Sequence, residues 1–84
     1  MSKKGKLLQK LLNTQSSFTW DELISLMQYL GYEVKYGDGS RVKFIHEDPA
    51  YMINLHRPHP GNEIKYYMRI QIVEKLRLGG MING

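Results

Sequence analysis

Three short runs of alternating apolar and polar residues constrain the fold of this chain most strongly. The runs span residues 32–36, 42–46 and 51–56, and the segments between them are short and contain glycine, aspartate or proline. Alternation with a period of two is typical of strands that bury one face, and short turn-forming connections join antiparallel neighbours. The sequence therefore predicts a three-stranded antiparallel meander.

The pairing of the second and third runs follows from the length of their connection. A four-residue turn over 47–50 brings Arg41 across from His56. The full set of expected pairs is Arg41 with His56, Val42 with Leu55, Phe44 with Ile53, and His46 with Tyr51. In this register the apolar residues share a helix-covered face, and the open face carries Arg41, Lys43, Asn54 and His56.

The first connection cannot have the same length as the second. A four-residue turn over 37–40 would pair core-facing Tyr36 with outward-facing Arg41, although residues that lie opposite each other must point to the same side of a sheet. We therefore expect a connection with an odd number of residues, or a bulge, around 37–40. The two glycines there permit positive φ at little cost.

Three amphipathic segments predict the helices. Thr19, followed three residues later by Glu22, forms a capping box that starts the second helix, and Gly31 ends it. The stripes expected to be buried are Leu7, Leu8, Leu11 and Leu12 in the first helix, Trp20, Leu23, Ile24, Met27 and Leu30 in the second, and Met68, Ile72, Val73 and Leu76 in the last, which ends at Gly79 and Gly80. Tyr66 and Tyr67 are adjacent, so we expect one in the core and the other in solvent.

The order helix, helix, three strands, helix, with the helices on one face, predicts an α+β two-layer sandwich. We expect one domain over 1–84, with 1–5 and 80–84 frayed. A chain of 84 residues needs most of its apolar side chains for one core, so we expect a surface site and no cofactor.

Charge and cysteine content narrow the function further. Twelve basic and eight acidic residues give a net charge of +4, which favours polyanions such as nucleic acid or an acidic protein. Solubility alone explains such a charge equally well. The absence of cysteine excludes a thiolate nucleophile or metal ligand and fits the reducing cytoplasm, and we recognise no secretory or membrane segment at the start.

The connection between the third strand and the last helix, residues 55–65, is the first candidate site. It holds two of the three histidines, His56 and His59, and two of the three prolines. Prolines fix φ and prevent the strand and the helix from extending into the connection, and loops framed this rigidly often carry function. The same histidines could instead rigidify the loop through hydrogen bonds to its backbone. A zinc site with Glu63 is disfavoured because spacing places no further ligand.

Several motifs, in their order, resemble the HicA family of toxins from bacterial toxin–antitoxin pairs. They are Thr19-Trp20-Asp21-Glu22-Leu23, Leu30-Gly31-Tyr32, Gly39-Ser40 at the start of a strand, and His59-Pro60-Gly61 followed by Ile64-Lys65. The resemblance implies a fold like that of double-stranded-RNA-binding domains. It also implies an mRNA-cleaving activity without metal, and neutralisation by a HicB-type antitoxin.

One position departs from the family pattern. In the family the Gly-Ser pair is followed by a histidine taken to be catalytic, and here that position is Arg41. Imidazole, with a pKa of about 6.5, exchanges protons near neutrality, whereas guanidinium, with a pKa above about 12, cannot act as a base. Arg41 can instead hold a phosphate through a bidentate fork. The chain then either belongs to a subgroup with a different reaction chemistry or is an inactive relative.

These considerations assign roles to the candidate residues. We expect His56 or His59 to act as the base, Arg41 to clamp the phosphate, and a 2′,3′-cyclic phosphate to be the product. Lys65, near the positive end of the last helix, is expected to hold a backbone phosphate, and Lys43 and Arg57 extend that basic patch. The resemblance to double-stranded-RNA modules suggests contacts to phosphate and 2′-hydroxyl groups across a groove.

Non-catalytic explanations of these residues and of the chain stay open at this point. Lys65 and Arg57 could merely solubilise the surface, and His46 is expected to be a strand-end residue on the covered face. The chain could also be a non-catalytic RNA-binding module or degenerate toxin, or a purely structural partner-binding domain.

Overall fold

A computed structural model of the chain describes residues 3–13, 15–58, 61–80 and 82. Along the chain the elements are α1 (Lys3–Leu12), α2 (Trp20–Tyr29), β1 (Glu33–Tyr36), β2 (Arg41–Ile45), a 3-10 turn (Pro49–Tyr51), β3 (Ile53–His56) and α3 (Tyr66–Leu78). The predicted α+β order of two helices, three antiparallel strands and a helix is confirmed. Among the described residues no helix is both long and apolar enough to cross a membrane.

The strands form one sheet in the order β1-β2-β3. The register predicted for the second pair is confirmed, with Arg41 opposite His56, Val42 opposite Leu55, and Phe44 opposite Ile53. The expected fourth pair, His46 with Tyr51, is wrong because Tyr51 belongs to the 3-10 turn. Its N–H donates to Asp48 O at 3.0 Å and is therefore used within the turn.

The first hairpin has the predicted odd-length connection. Tyr36 pairs with Val42, so five residues lie between the paired positions. The turn is closed by a 2.9 Å hydrogen bond from Gly37 N–H to Arg41 O, and Gly39 has a φ of +64°. Tyr36 lies on the side of buried Val42, yet 64 % of it is exposed. It is the last residue of an edge strand, so it faces the covered side as predicted but stays in solvent.

Helix α2 begins at the predicted capping box. Thr19 N–H donates to Glu22 Oε1 at 3.0 Å, and Glu22 N–H donates to Thr19 Oγ1 at 3.3 Å. After the helix, Gly31 adopts a φ of +92°. Trp20, Leu23 and Met27 are buried as predicted, and Leu26 is buried as well. Ile24 and Leu30 are only partly buried.

The core lies between the sheet and the helices. The alternate residues of β2 and β3 that face the helices are buried, as are the four predicted residues of α3. The buried strand residues are Val42, Phe44, Ile53 and Leu55, and the buried α3 residues of the predicted stripe are Met68, Ile72, Val73 and Leu76. In the first helix Leu11 is buried, Leu7 and Leu8 are partly buried, and Leu12 is exposed.

Helix α1 is held at its C-terminal end by a buried cation from α3. The guanidinium of Arg69 donates to the backbone oxygens of Lys10, Leu11, Asn13 and Ser16 at 2.6 to 2.8 Å. The last carbonyls of a helix have no partner within it, and a positive charge is favourable at that end. Arg69, at 5 % exposure, therefore serves as a C-terminal cap supplied by another helix.

A second contact between α1 and α2 joins two side chains. Lys10 Nζ lies 2.6 Å from Glu22 Oε2. Partial burial works to raise the pKa of Glu22, but the bonds from Lys10 and Thr19 to the carboxylate outweigh it, so the pKa is lowered.

Candidate functional site

The open face of the sheet carries unpaired positive charge. Lys35 lies directly opposite Lys43, which in turn lies opposite Asn54. The odd-length hairpin sets this register, because it shifts β1 by one residue relative to an even-length connection. Among the described residues, no carboxylate lies within ion-pair distance of Lys35, Arg41 or Lys43. Like charges that face each other across strands repel, so this face favours an anionic partner.

Arg41 and His56 lie opposite each other on this face, at the end of the sheet next to the turn between β1 and β2. Both are exposed and both line an open depression of about 500 Å³, together with Gly37, Asp38, Val42, Lys43, Asn54 and Leu55. Lys43 lies in the same depression. The arrangement brings two cations and an imidazole to one surface, where they can contact a phosphodiester without an enclosed cavity.

Ser40 contacts the imidazole of His56 directly. Ser40 Oγ lies 3.3 Å from His56 Nδ1, and the backbone at Ser40 is fixed because Arg57 N–H donates to Ser40 O at 2.7 Å. A neutral imidazole has one donating and one accepting nitrogen. When Nδ1 donates to the serine, Nε2 is the free basic nitrogen. Sequence reasoning noted the Gly39-Ser40 pair but assigned Ser40 no role, because its proximity to His56 depends on the strand register.

Arg57 and Lys65 lie in two further depressions rather than beside Arg41. Arg57 lines one of about 470 Å³ together with Gly39, Ser40, Pro58 and Gly61. Lys65 lines one of about 760 Å³, whose lining also includes Pro58 and Gly61. The predicted basic patch is therefore divided between adjacent surfaces. His59, the other candidate base, lies outside the described residues.

Lys65 is the N-cap of α3, with extended backbone and no hydrogen bond from its side chain to the helix. The first amide groups of a helix project from its N-terminal end and have no acceptor within the helix. Together with the helix dipole they attract anions. Glu63 lines the same depression, and its negative charge opposes the binding of an anion there.

Both tyrosines at the start of α3 are exposed. Tyr66 is 62 % exposed and Tyr67 is 66 % exposed, so the expectation that one of them lies in the core is wrong. The buried stripe of the helix begins only at Met68, so the two residues before it lie in solvent.

His46 belongs to a separate aromatic cluster. Its ring lies 5.0 Å from that of Tyr32 and 5.7 Å from that of Tyr51, measured between centroids, and its Nδ1 accepts from Asp48 N–H. Tyr32 donates its hydroxyl to Tyr51 O at 2.8 Å, and burial raises the pKa of Tyr32, with a smaller contribution from Tyr51. His46 thus packs at the end of β2 and is not in the depression of Arg41. The part of the chain that the structure describes contains no group of three histidine or carboxylate side chains suited to a metal ion.

Comparison with known proteins identifies one related family. The family model described as HicA toxin of bacterial toxin-antitoxin matches residues 20–78. That range runs from the start of α2 to the end of α3 and includes the whole sheet, whereas α1 lies before it. Comparisons with curated proteins and with solved structures gave no match.

Proposed function

The chain belongs to the HicA family of toxins from bacterial toxin–antitoxin pairs, and on that premise we propose that it is a ribonuclease that cleaves mRNA without a metal ion. The toxin role follows from the family. The cleavage chemistry rests on one observation in this chain: His56 faces Arg41 across the sheet, with the hydroxyl of Ser40 at its Nδ1.

In the proposed reaction Arg41 holds the scissile phosphate and stabilises the charge that develops as phosphorus becomes pentacoordinate. Nε2 of His56 takes the proton of the neighbouring 2′-hydroxyl. The 2′-oxygen forms a bond to phosphorus while the bond to the 5′-oxygen breaks. The leaving oxygen receives a proton from an imidazolium or from water. The products are a 2′,3′-cyclic phosphate and a 5′-hydroxyl end.

The other basic residues bind the flanking backbone in this scheme. Lys43 lies in the same depression as the reacting groups, and Arg57 and Lys65 line the next two. His59 is the second candidate for the base or the acid. It is tested together with His56 because both occur in the same connection.

Members of the family pair with an antitoxin. We place a HicB-type antitoxin over the basic open face, because Lys35, Arg41 and Lys43 lack described carboxylate partners. An acidic protein surface there would neutralise the same charges that attract RNA and would cover His56. Binding that depends on these charges weakens as salt rises.

One observation favours a second function, RNA binding without cleavage. Arg41 occupies the position at which the family has its catalytic histidine, and a guanidinium cannot accept a proton near neutrality. If neither His56 nor His59 replaces that base, the protein keeps a basic surface that binds RNA but does not cleave it.

An RNA gel assay in EDTA separates the two functions. Wild-type protein is expected to yield fragments with cyclic phosphate ends, and the double variant His56→Ala with His59→Ala is expected to yield none. Gln71→Ala, an exposed change on α3, is the matched control and should cleave normally. Retention of RNA without fragments in the wild type would favour the binding module. Unchanged cleavage by the double variant would refute the assigned base.

A further inference from the structure

Two exposed aromatic rings at the first turn of α3 have no role in the reaction described above. Tyr66 and Tyr67 are about two-thirds exposed, whereas Met68 and the apolar stripe after it are buried. A ring has two apolar faces that a partner can cover, and neighbouring exposed rings mark a candidate binding surface. The chemistry of the surrounding surface indicates which partner fits.

The surroundings of Tyr66 favour an anion next to the ring. Tyr66 and Lys65 line the depression of about 760 Å³, and the side chain of Lys65 makes no hydrogen bond to the amide groups at the start of α3. Arg69 lines the same depression at 5 % exposure. Among the described residues its Nε has no hydrogen-bond partner, and its other nitrogens donate to backbone oxygens. The described lining therefore carries two cations, Lys65 and Arg69, and one carboxylate, Glu63.

A third depression links this one to the proposed reaction site. Pro58 and Gly61 line both the depression of Tyr66 and this third one, of about 470 Å³. Ser40 lines the latter and contacts His56. A strand held at His56 can therefore continue toward Tyr66 along adjoining surface depressions.

Resting on the function proposed above, we propose that Tyr66 stacks on an unpaired RNA base whose phosphate lies against Lys65 and the start of α3, so that the substrate is single-stranded there. Phosphate beside an aromatic ring is the repeating chemistry of a single strand, and proteins bind such strands by stacking. In a duplex the base faces are covered by neighbouring bases. The attack by a 2′-oxygen also needs an in-line arrangement with the leaving oxygen, which a strand free of pairing reaches more readily.

The chain is well suited to a fluorescence test. Its single tryptophan, Trp20, is 2 % exposed and cannot stack on RNA. In Tyr66→Trp a second tryptophan takes the position of the proposed stacking ring. A short 2′-O-methyl RNA, which lacks the attacking hydroxyl and cannot be cleaved, serves as the probe. We expect the single strand to quench the new emission and the duplex of the same sequence to leave it unchanged. Leu78→Trp, at the opposite end of α3 and 79 % exposed, is the control and should show no quenching.

Affinity provides a second measurement. Tyr66→Ala should weaken binding of the single strand by roughly 5- to 150-fold, which corresponds to loss of one stacked base, whereas Tyr66→Phe keeps the ring and should bind as the wild type does. Unchanged affinity in Tyr66→Ala, or equal quenching by duplex, overturns the proposal.

The test separates failure of this inference from failure of the ribonuclease proposal. If wild-type protein neither retains nor cleaves RNA, the proposed function fails and the inference fails with it. If wild-type protein cleaves RNA but the emission of the Tyr66→Trp variant is unaffected, only the inference fails. If that emission responds to the antitoxin and not to RNA, the two tyrosines form a protein-docking surface and the inference is overturned.

Discussion

Replacing Arg69 with methionine removes the guanidinium that joins α3 to the end of α1, while it keeps an unbranched side chain that matches arginine as far as Nε. Water can reach the oxygens of Lys10, Asn13 and Ser16, whose bonds are partly exposed. The loss of each of these bonds lowers the free energy of unfolding by the net contribution of one hydrogen bond, about 1 kcal/mol. The oxygen of Leu11 is buried, and leaving it unpaired costs about 1–3 kcal/mol.

An opposing contribution comes from the charge itself. Arg69 is buried without a carboxylate partner among the described residues, and removing such a charge recovers roughly 1–2 kcal/mol of desolvation. We therefore expect Arg69→Met to lower the free energy of unfolding by about 3 kcal/mol, which for a domain of this size corresponds to a decrease in Tm of about 12–24 °C. Urea and thermal unfolding measure both quantities.

Hydrogen exchange locates the effect. The amides of α1 should lose protection in Arg69→Met more than those of β2, because the broken bonds all lie at residues 10–16. Arg77→Met, an exposed cation in the last turn of α3, is the control and should change stability little. A loss in Arg69→Met no larger than that of the control, or exchange that increases equally in β2, would refute the reasoning.

Three further predictions follow from local features. The pKa of Glu22 is lowered from 4.5, so its contribution to stability is present above that value and is lost as pH falls through the folded pKa. Acid unfolding of Glu22→Gln should lack this component. Gly31→Ala places a side chain at a φ of +92° and should cost about 1–2 kcal/mol, whereas Gly5→Ala inside α1 should stabilise by roughly 0.5–1 kcal/mol; differential scanning calorimetry would detect the opposite signs. Ser40→Ala removes the bond to Nδ1 of His56. It should reduce kcat and change its pH dependence while RNA affinity is unchanged, and a loss confined to affinity would argue against a positioning role.

Much of the fold could be predicted because its determinants are local. The capping box of Thr19 and Glu22 needs only their spacing, and it forms as predicted. The register of β2 and β3 follows from alternation and from the length of one turn. The mismatch between Tyr36 and Arg41 was enough to predict the odd-length hairpin, because facing residues must share a side of the sheet.

The candidate site was less predictable from the sequence. The position of Arg41 opposite His56 was foreseen, but the contact between Ser40 and His56 and the separation of Lys65 from that pair were not. Arg69 did leave a signal in the sequence. It precedes Ile72, Val73 and Leu76 by three, four and seven positions, which is the spacing of a buried helical stripe.

By itself the sequence determined the order of the elements, the two caps of α2, the faces of the strands and the charge of the open face, since these depend on neighbours within a few residues or on simple periodicity. Only the tertiary structure decided that a buried arginine would cap a distant helix, that Tyr66 and Tyr67 would both lie in solvent, and that the basic residues would be divided among adjoining depressions. Those outcomes depend on how α1, the sheet and α3 pack, which involves contacts between residues more than fifty positions apart.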